Sequence, residues 1–330
     1  MILDNITMRR ESKSFTDAVH AILTAAGRFD GPKFMLSGLS GMAFKFAAHR
    51  RLLPFSVTAY GQWGNEHAPA IDNLGIHTVY DAGRARHGSF EIYQQDAIRW
   101  IKQSIDTGLG AVYWIPEFGV IHGYDDEAKV FYLQDGKSGD IQVVLYDNFG
   151  INFTSFWYCR VFGDQVGIPL TDAVLESLRL ALHDWETPYK TFPDTDTASG
   201  RLAYQYLISA LEMNEYDAYG AGYLLDSYLY ARKEIRDYFG EVHARIPGLY
   251  EVLLLYRELA DIISGDIAGV LPCLYGQKQL TDSQRSSLCA ALRQAEALEE
   301  RAMSLTRLIS ERYPDRKRSM VPRWGAHTAR

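Results

Sequence analysis

Residues 281–312 constrain the fold more than any other stretch. Thr281-x-x-Gln284 is a capping box, in which each side chain satisfies an otherwise unpaired amide at a helix start. Leu288, Leu292, Ala295, Ala302, Leu305 and Ile309 then recur at three- and four-residue steps. That pattern is an apolar seam, and at 1.5 Å per residue it runs for about eight turns. So long a seam needs other helices along its length. Helical periods at about 199–213, 217–239 and 248–264 supply them, and no convincing strand is read between 200 and 330. The first and third of these helices are shorter than the seam. The exposed remainder predicts a homodimer through the helical half, since two-fold dimers are the commonest soluble oligomers.

The sequence before residue 186 follows a different period. Ala111–Ile115 is a short apolar run suited to a strand, and Pro116, which lacks an N–H, interrupts the ladder. Phe118–Tyr124 and Val130–Leu133 flank the polar Asp125-Asp-Glu-Ala-Lys129, which predicts a β-hairpin with a five-residue loop. Strands are also read at 74–80, 141–146 and 154–162. Helices are read at 14–27, 42–51, 94–105 and 171–182. The predicted class is α+β: helices and a mostly antiparallel sheet over 1–186, a Pro/Thr/Asp-rich linker at 187–199, and a helical domain over 200–330.

Composition excludes several function classes. A net charge of −7 argues against a nucleic-acid-binding face. No apolar run approaches the ~18 residues of a membrane span, and the first ten residues lack the apolar core of a signal peptide. The three cysteines, Cys159, Cys273 and Cys289, form no close pair. Together these predict a cytoplasmic chain without membrane association. No phosphate loop, dinucleotide fingerprint or zinc motif is present, so neither a cofactor nor a metal is expected. The acidic Asp125-Asp-Glu127 reads as turn chemistry in preference to a cation site.

Two stretches carry candidate binding residues. Ser37-Gly38-Leu-Ser40-Gly41 reads as a tight turn that feeds the helix expected at 42–51, where unpaired amides would converge. Residues 54–73 read as an irregular loop offering Gln62, Trp63 and His67 beside Tyr60 and Glu66.

The order of parts resembles the papain-like cysteine-peptidase superfamily, in particular the bacteriocin leader-peptidase domains and the N-terminal domain of butirosin biosynthesis protein H-like chains. A turn enters a helix, then a sheet carries Phe118-Gly-Val-Ile-His-Gly-Tyr-Asp-Asp126, and a strand ends at Asp135. The likeness spans about residues 30–165, and Gly-Tyr-Asp-Asp is its most specific part. A helical C-terminal part also follows in butirosin biosynthesis protein H-like chains. The resemblance implies the fold and acyl or amide chemistry through a covalent cysteine adduct. Those families place cysteine at the start of the first core helix, which falls here at about Gly38 to Ser40. They place histidine six residues before the Gly-Tyr pair, and that position is Glu117. Of the three site positions, only Asp135 matches.

Ser40, Glu117 and Asp135 are therefore the candidate catalytic positions, with Ser40 and Glu117 expected to face one cleft. Ser37, Gly38, Gln62, Trp63, His67 and His122 are the candidate ligand contacts. Strand alternation puts 117 and 122 on opposite faces unless the strand is bulged. A carboxylate is a weak base toward a hydroxyl, so cysteine-peptidase chemistry is not expected. The leading expectation is a catalytically degenerate protein that binds a small molecule or peptide, with a place in secondary-metabolite or peptide biosynthesis. The alternatives are an acyltransferase or amidohydrolase with a rebuilt Ser/Glu/Asp site, and a structural or assembly protein acting through its helical half.

Overall fold

The computed structural model describes residues 1–54, 63–151, 154, 156–190 and 195–315, with residues 64 and 65 described by their backbone alone. Gln62, residues 191–194 of the expected linker and the basic tail from 316 lie outside the described residues. The class is α+β. Its packing gathers into two units, one from Met1–Leu36 with Gly75–Gly167 and the other from Ser37–Leu74 with Ile168–Arg330.

The first unit is built on a six-stranded antiparallel sheet. Its strands are β2 (Ile76–Gly83), β3 (Ala111–Trp114), β4 (Phe118–Asp125), β5 (Val130–Gln134), β6 (Gln142–Leu145) and β7 (Trp157–Gln165), in the order β2-β7-β3-β4-β5-β6. The β4–β5 hairpin forms over its polar loop as the pattern predicts. Helix α4 (Phe90–Asp106) packs on one face of the sheet. There Ala97, Ile101 and Ile105, spaced at helical steps, meet Ala111, Tyr113, Ile121, Leu133 and Cys159. Those strand residues alternate with a second set on the other face. Helix α1 (Ser14–Ala25) lies against β3 and β4 there, with the Phe15 ring edge-on to Phe118 at 5.5 Å.

The second unit carries the long helices. After α5 (Leu170–Glu186) come α6 (Arg201–Met213), α7 (Ala218–Val242), α8 (Leu249–Tyr275) and α9 (Asp282–Arg312). The capping box at Thr281 forms. Helix α8 extends about three turns beyond the expected 264, through Pro272, and covers more of the seam than the sequence suggested. Leu288, Leu292, Ala295, Ala302 and Ile309 are all buried within the unit, against α8, α6 and α5.

Two local expectations fail. The helix read at 42–51 is absent: a short 3₁₀ turn at Met42–Phe44 leads into strand β1 (Ala47–His49). That strand pairs with β8 (Thr197–Ser199), a partner about 150 residues away that no local pattern reveals. The helix precedes the turn, as α2 (Lys33–Leu39), and Gly41 stops it in the left-handed conformation at φ 75°. The loop read over 54–73 is also wrong for its second half, where α3 (Trp63–Asp72) forms despite Pro69.

Candidate functional site

The Gly/Ser turn has the opposite polarity from that expected. Ser37, Gly38 and Ser40 stand at the end of α2, where carbonyls are left over, so no cradle of free amides forms on a helix start. Ser40 is buried, and its hydroxyl donates to the Ser37 carbonyl at 3.2 Å while accepting from the Met42 amide at 3.4 Å. Gly38 lies flat on the Tyr238 ring: a Cβ there would sit 2.2 Å from the ring's Cγ. The Ser37 hydroxyl is buried without a hydrogen-bond partner. Trp63 opens α3, and His67, on the next turn, is buried.

Glu117 and Asp135 belong to the other unit. Glu117 accepts a 2.6 Å hydrogen bond from the Ser14 hydroxyl and lies 3.4 Å from Arg10. Ser14 in turn accepts from the Phe118 amide, so Glu117 helps fasten the start of α1 to β4. Arg10 and Lys33 also converge on the buried Asp17. Asp135 caps its own turn, accepting from the amides of Lys137 and Ser138 and from the Gln142 side chain at 2.7 to 2.8 Å. Burial raises its pKa, but the Lys137 and Ser138 donors, with the Arg10 charge, outweigh the burial and hold the carboxyl below its ordinary value.

The proviso about a bulge is met. Ile121 pairs with Leu133 and Gly123 with Tyr132, which leaves His122 as the extra residue. Its ring is buried beneath the N-terminal segment, with Nδ1 3.4 Å from the Leu3 carbonyl and Nε2 unpartnered.

Cys159 is buried, and burial pushes its thiol up to about 12. Burial also raises the Cys289 thiol. Neither is poised as a thiolate nucleophile. Asp125 accepts from the amides of Glu127 and Ala128, and Asp126 pairs with Lys102. Among the described residues no group of three or more His, Cys, Asp or Glu side chains is placed to hold a metal ion.

The face of the sheet that carries α1 holds residues the sequence reading did not single out. Register places Thr78, Tyr80, Tyr158, Arg160, Val112, Trp114 and Phe118 on this side. Phe118 stands edge-on to Tyr158 at 5.4 Å and to Trp114 at 5.0 Å. Arg160 is fully buried at 0 % exposure. Its Nε donates to the Tyr158 hydroxyl at 2.6 Å, and its Nη1 donates to Thr78 Oγ1. The guanidinium also lies over the Tyr80 ring, 4.6 Å from the centroid. Its Nη2 has no hydrogen-bond partner, and no carboxylate pairs with it among the described residues. The one available signal was a lone charge inside the aromatic run Trp157-Tyr-Cys-Arg-Val-Phe162.

The second unit buries charge in a different way. Glu66 on α3 and Asp184 on α5 share Lys190, and Lys45 lies 3.8 and 3.5 Å from them. Burial raises the Asp184 carboxyl, but the two lysines outweigh it and bring it down to about 2. These charges cancel within the cluster. Arg160, by contrast, has no such compensation among the described residues.

The chain matches no protein-family model and no curated protein sequence. Among the described residues no helix is long and apolar enough to cross a membrane.

Proposed function

We propose that this chain is a cytoplasmic binding protein on a papain-like framework, one that holds a small molecule or peptide without cutting it. What carries the reading is how the three candidate catalytic groups are spent. The Ser40 hydroxyl donates to the Ser37 carbonyl, Glu117 holds Ser14 and Arg10, and Asp135 caps a turn. A serine nucleophile needs a base within hydrogen-bond reach of its oxygen. Here the oxygen's one proton already points at a backbone carbonyl.

The framework is supported by the strand order around Gly123-Tyr124, by the turn at Asp135, and by the helical region that follows. The binding face we favour is the α1 side of the sheet, where the buried rings of Trp114, Phe118 and Tyr158, with Tyr80, surround Arg160 with aromatic groups. Aromatic walls with a few polar groups are the usual composition of a small-molecule site.

A fluorophosphonate probe tests the absence of catalysis. Incubated with the full chain at neutral pH, it should leave Ser40 unmodified by intact-mass and peptide mass spectrometry. Stoichiometric labelling of Ser40, lost in Ser40→Ala, would overturn the reading in favour of an acyl-transfer enzyme.

A further inference from the structure

A buried cation without a counter-charge is costly. Desolvating a guanidinium forfeits much of its hydration even after relaxation, and an anion or a full set of acceptors normally offsets it. Arg160 has neither in full. Of the five N–H bonds on a guanidinium, the Nε one and one on Nη1 are used, and both go to neutral hydroxyls. Tyr158 stays a neutral phenol, because burial pushes it up to about 12 against the pull of Arg160 itself. Asp81 supplies no charge to this face, since it pairs with Cys159 and so points to the other side of the sheet.

We propose that Arg160 is an anion-recognition residue that takes a carboxylate from the bound ligand, and that this ligand is a small aromatic or apolar carboxylic acid. The proposal rests on the binding-protein reading above.

The geometry selects the chemistry. The N–H bonds left over lie on Nη1 and Nη2, the terminal edge of the guanidinium. That edge matches the two oxygens of one carboxylate in a parallel fork. Tyr158 and Thr78 hold the other side of the group and fix its plane. One cation balances one carboxylate, whereas a phosphate dianion would bring a second negative charge with no unpaired cation to meet it beside Arg160 among the described residues. Tyr80 stacks on the guanidinium from one side, and the buried Tyr158 and Phe118 rings extend the aromatic surroundings, an environment that suits an aromatic or apolar body on the carboxylate.

The probe is 4-fluorobenzoate, observed by ¹⁹F NMR line broadening with the full chain, with 4-fluorobenzamide as the uncharged isostere. The benzoate is expected to bind at least about tenfold more tightly than the amide, the difference a charge-assisted fork supplies. Arg160→Gln should erase the preference. Thr78→Val, which loosens the guanidinium but leaves its charge, should weaken the benzoate several-fold and serves if Arg160→Gln does not fold. Three results overturn the proposal: equal binding of benzoate and amide, a preference unchanged in Arg160→Gln or in Thr78→Val, and no benzoate binding at millimolar concentration. Labelling of Ser40 by fluorophosphonate would overturn the non-catalytic reading and leave Arg160 as the carboxylate contact of a substrate, so the two failures are separable. Inorganic phosphate competing as well as benzoate would overturn the choice of a monoanionic ligand.

Discussion

The fold resists protonation of His122. Burial lowers its pKa, and the Leu3 carbonyl and Asp4 only partly oppose that. A histidine held neutral in the folded chain binds its proton more readily once unfolded. Stability is then intact above the unfolded value of about 6.5 and falls as pH drops below it. His183 on α5 is lowered in the same direction, by burial and by Lys45. Urea midpoints should therefore drop between about pH 7 and about pH 5.5, and His122→Gln should make that drop shallower. Identical pH slopes in the two proteins would mean that His122 titrates normally. At this scale the sequence was half readable. The Asp135 turn is plain in Asp-Gly-Lys-Ser, where aspartate bonds forward to two amides. The role of Gly38 was hidden, because it comes from Tyr238, two hundred residues away. Arg160 looked like an ordinary strand residue until its register set it among Tyr80, Tyr158 and Thr78.

Elements with their own period were legible, and those made by distant partners were not. The β4–β5 hairpin and helices α4, α6, α7 and α9 follow from alternation and from three- and four-residue steps. Residues 42–51 have helix-forming side chains, yet Ala47–His49 extends to pair with Thr197–Ser199. Tertiary pairing overrides propensity there. Helix α3 was masked by Gly64 and Pro69, residues that ordinarily signal a loop. The long helices are joined by more than apolar contact. Glu299 on α9 takes Arg232 of α7 at 2.7 and 2.9 Å, the Tyr204 hydroxyl of α6 at 2.5 Å, and the Tyr256 hydroxyl of α8 at 3.0 Å. Arg232 and Glu299 are each about 1 % exposed. Glu299→Gln should cost roughly 3–5 kcal/mol in urea unfolding, because it strands a buried guanidinium. The pair Arg232→Met with Glu299→Leu should cost less than the single change, since no charge is then left behind. If the double variant proves the weaker of the two, the network contributes net stability and this argument fails.

At the scale of the whole molecule, the seam on α9 decides what the helical region offers to a second copy. The expected homodimer drew on an apolar stripe longer than its neighbours. Most of the stripe is instead buried inside its own unit, Leu305 being half-buried, because α8 spans Leu249–Tyr275 and runs beside α9. Leu292 is 0 % exposed, so no partner chain reaches it without opening the unit. Leu292→Arg would place a charge among α9's helical neighbours, a far greater cost than losing a surface contact. Its expected effect is loss of helical circular dichroism at a much lower urea concentration than wild type, by several kcal/mol as an order of magnitude. Light scattering on the same samples separates the two uses of the seam. If the variant keeps its helical signal and cooperative unfolding while the scattering mass falls from two chains to one, the seam is an interface and the packing argument is wrong. If the helical signal collapses, Leu292 belongs to the core. Self-association of wild type would then use exposed residues outside the buried seam, such as Tyr219, Tyr230, Tyr250 or Leu254, and charged substitutions there would change the mass without lowering the urea midpoint.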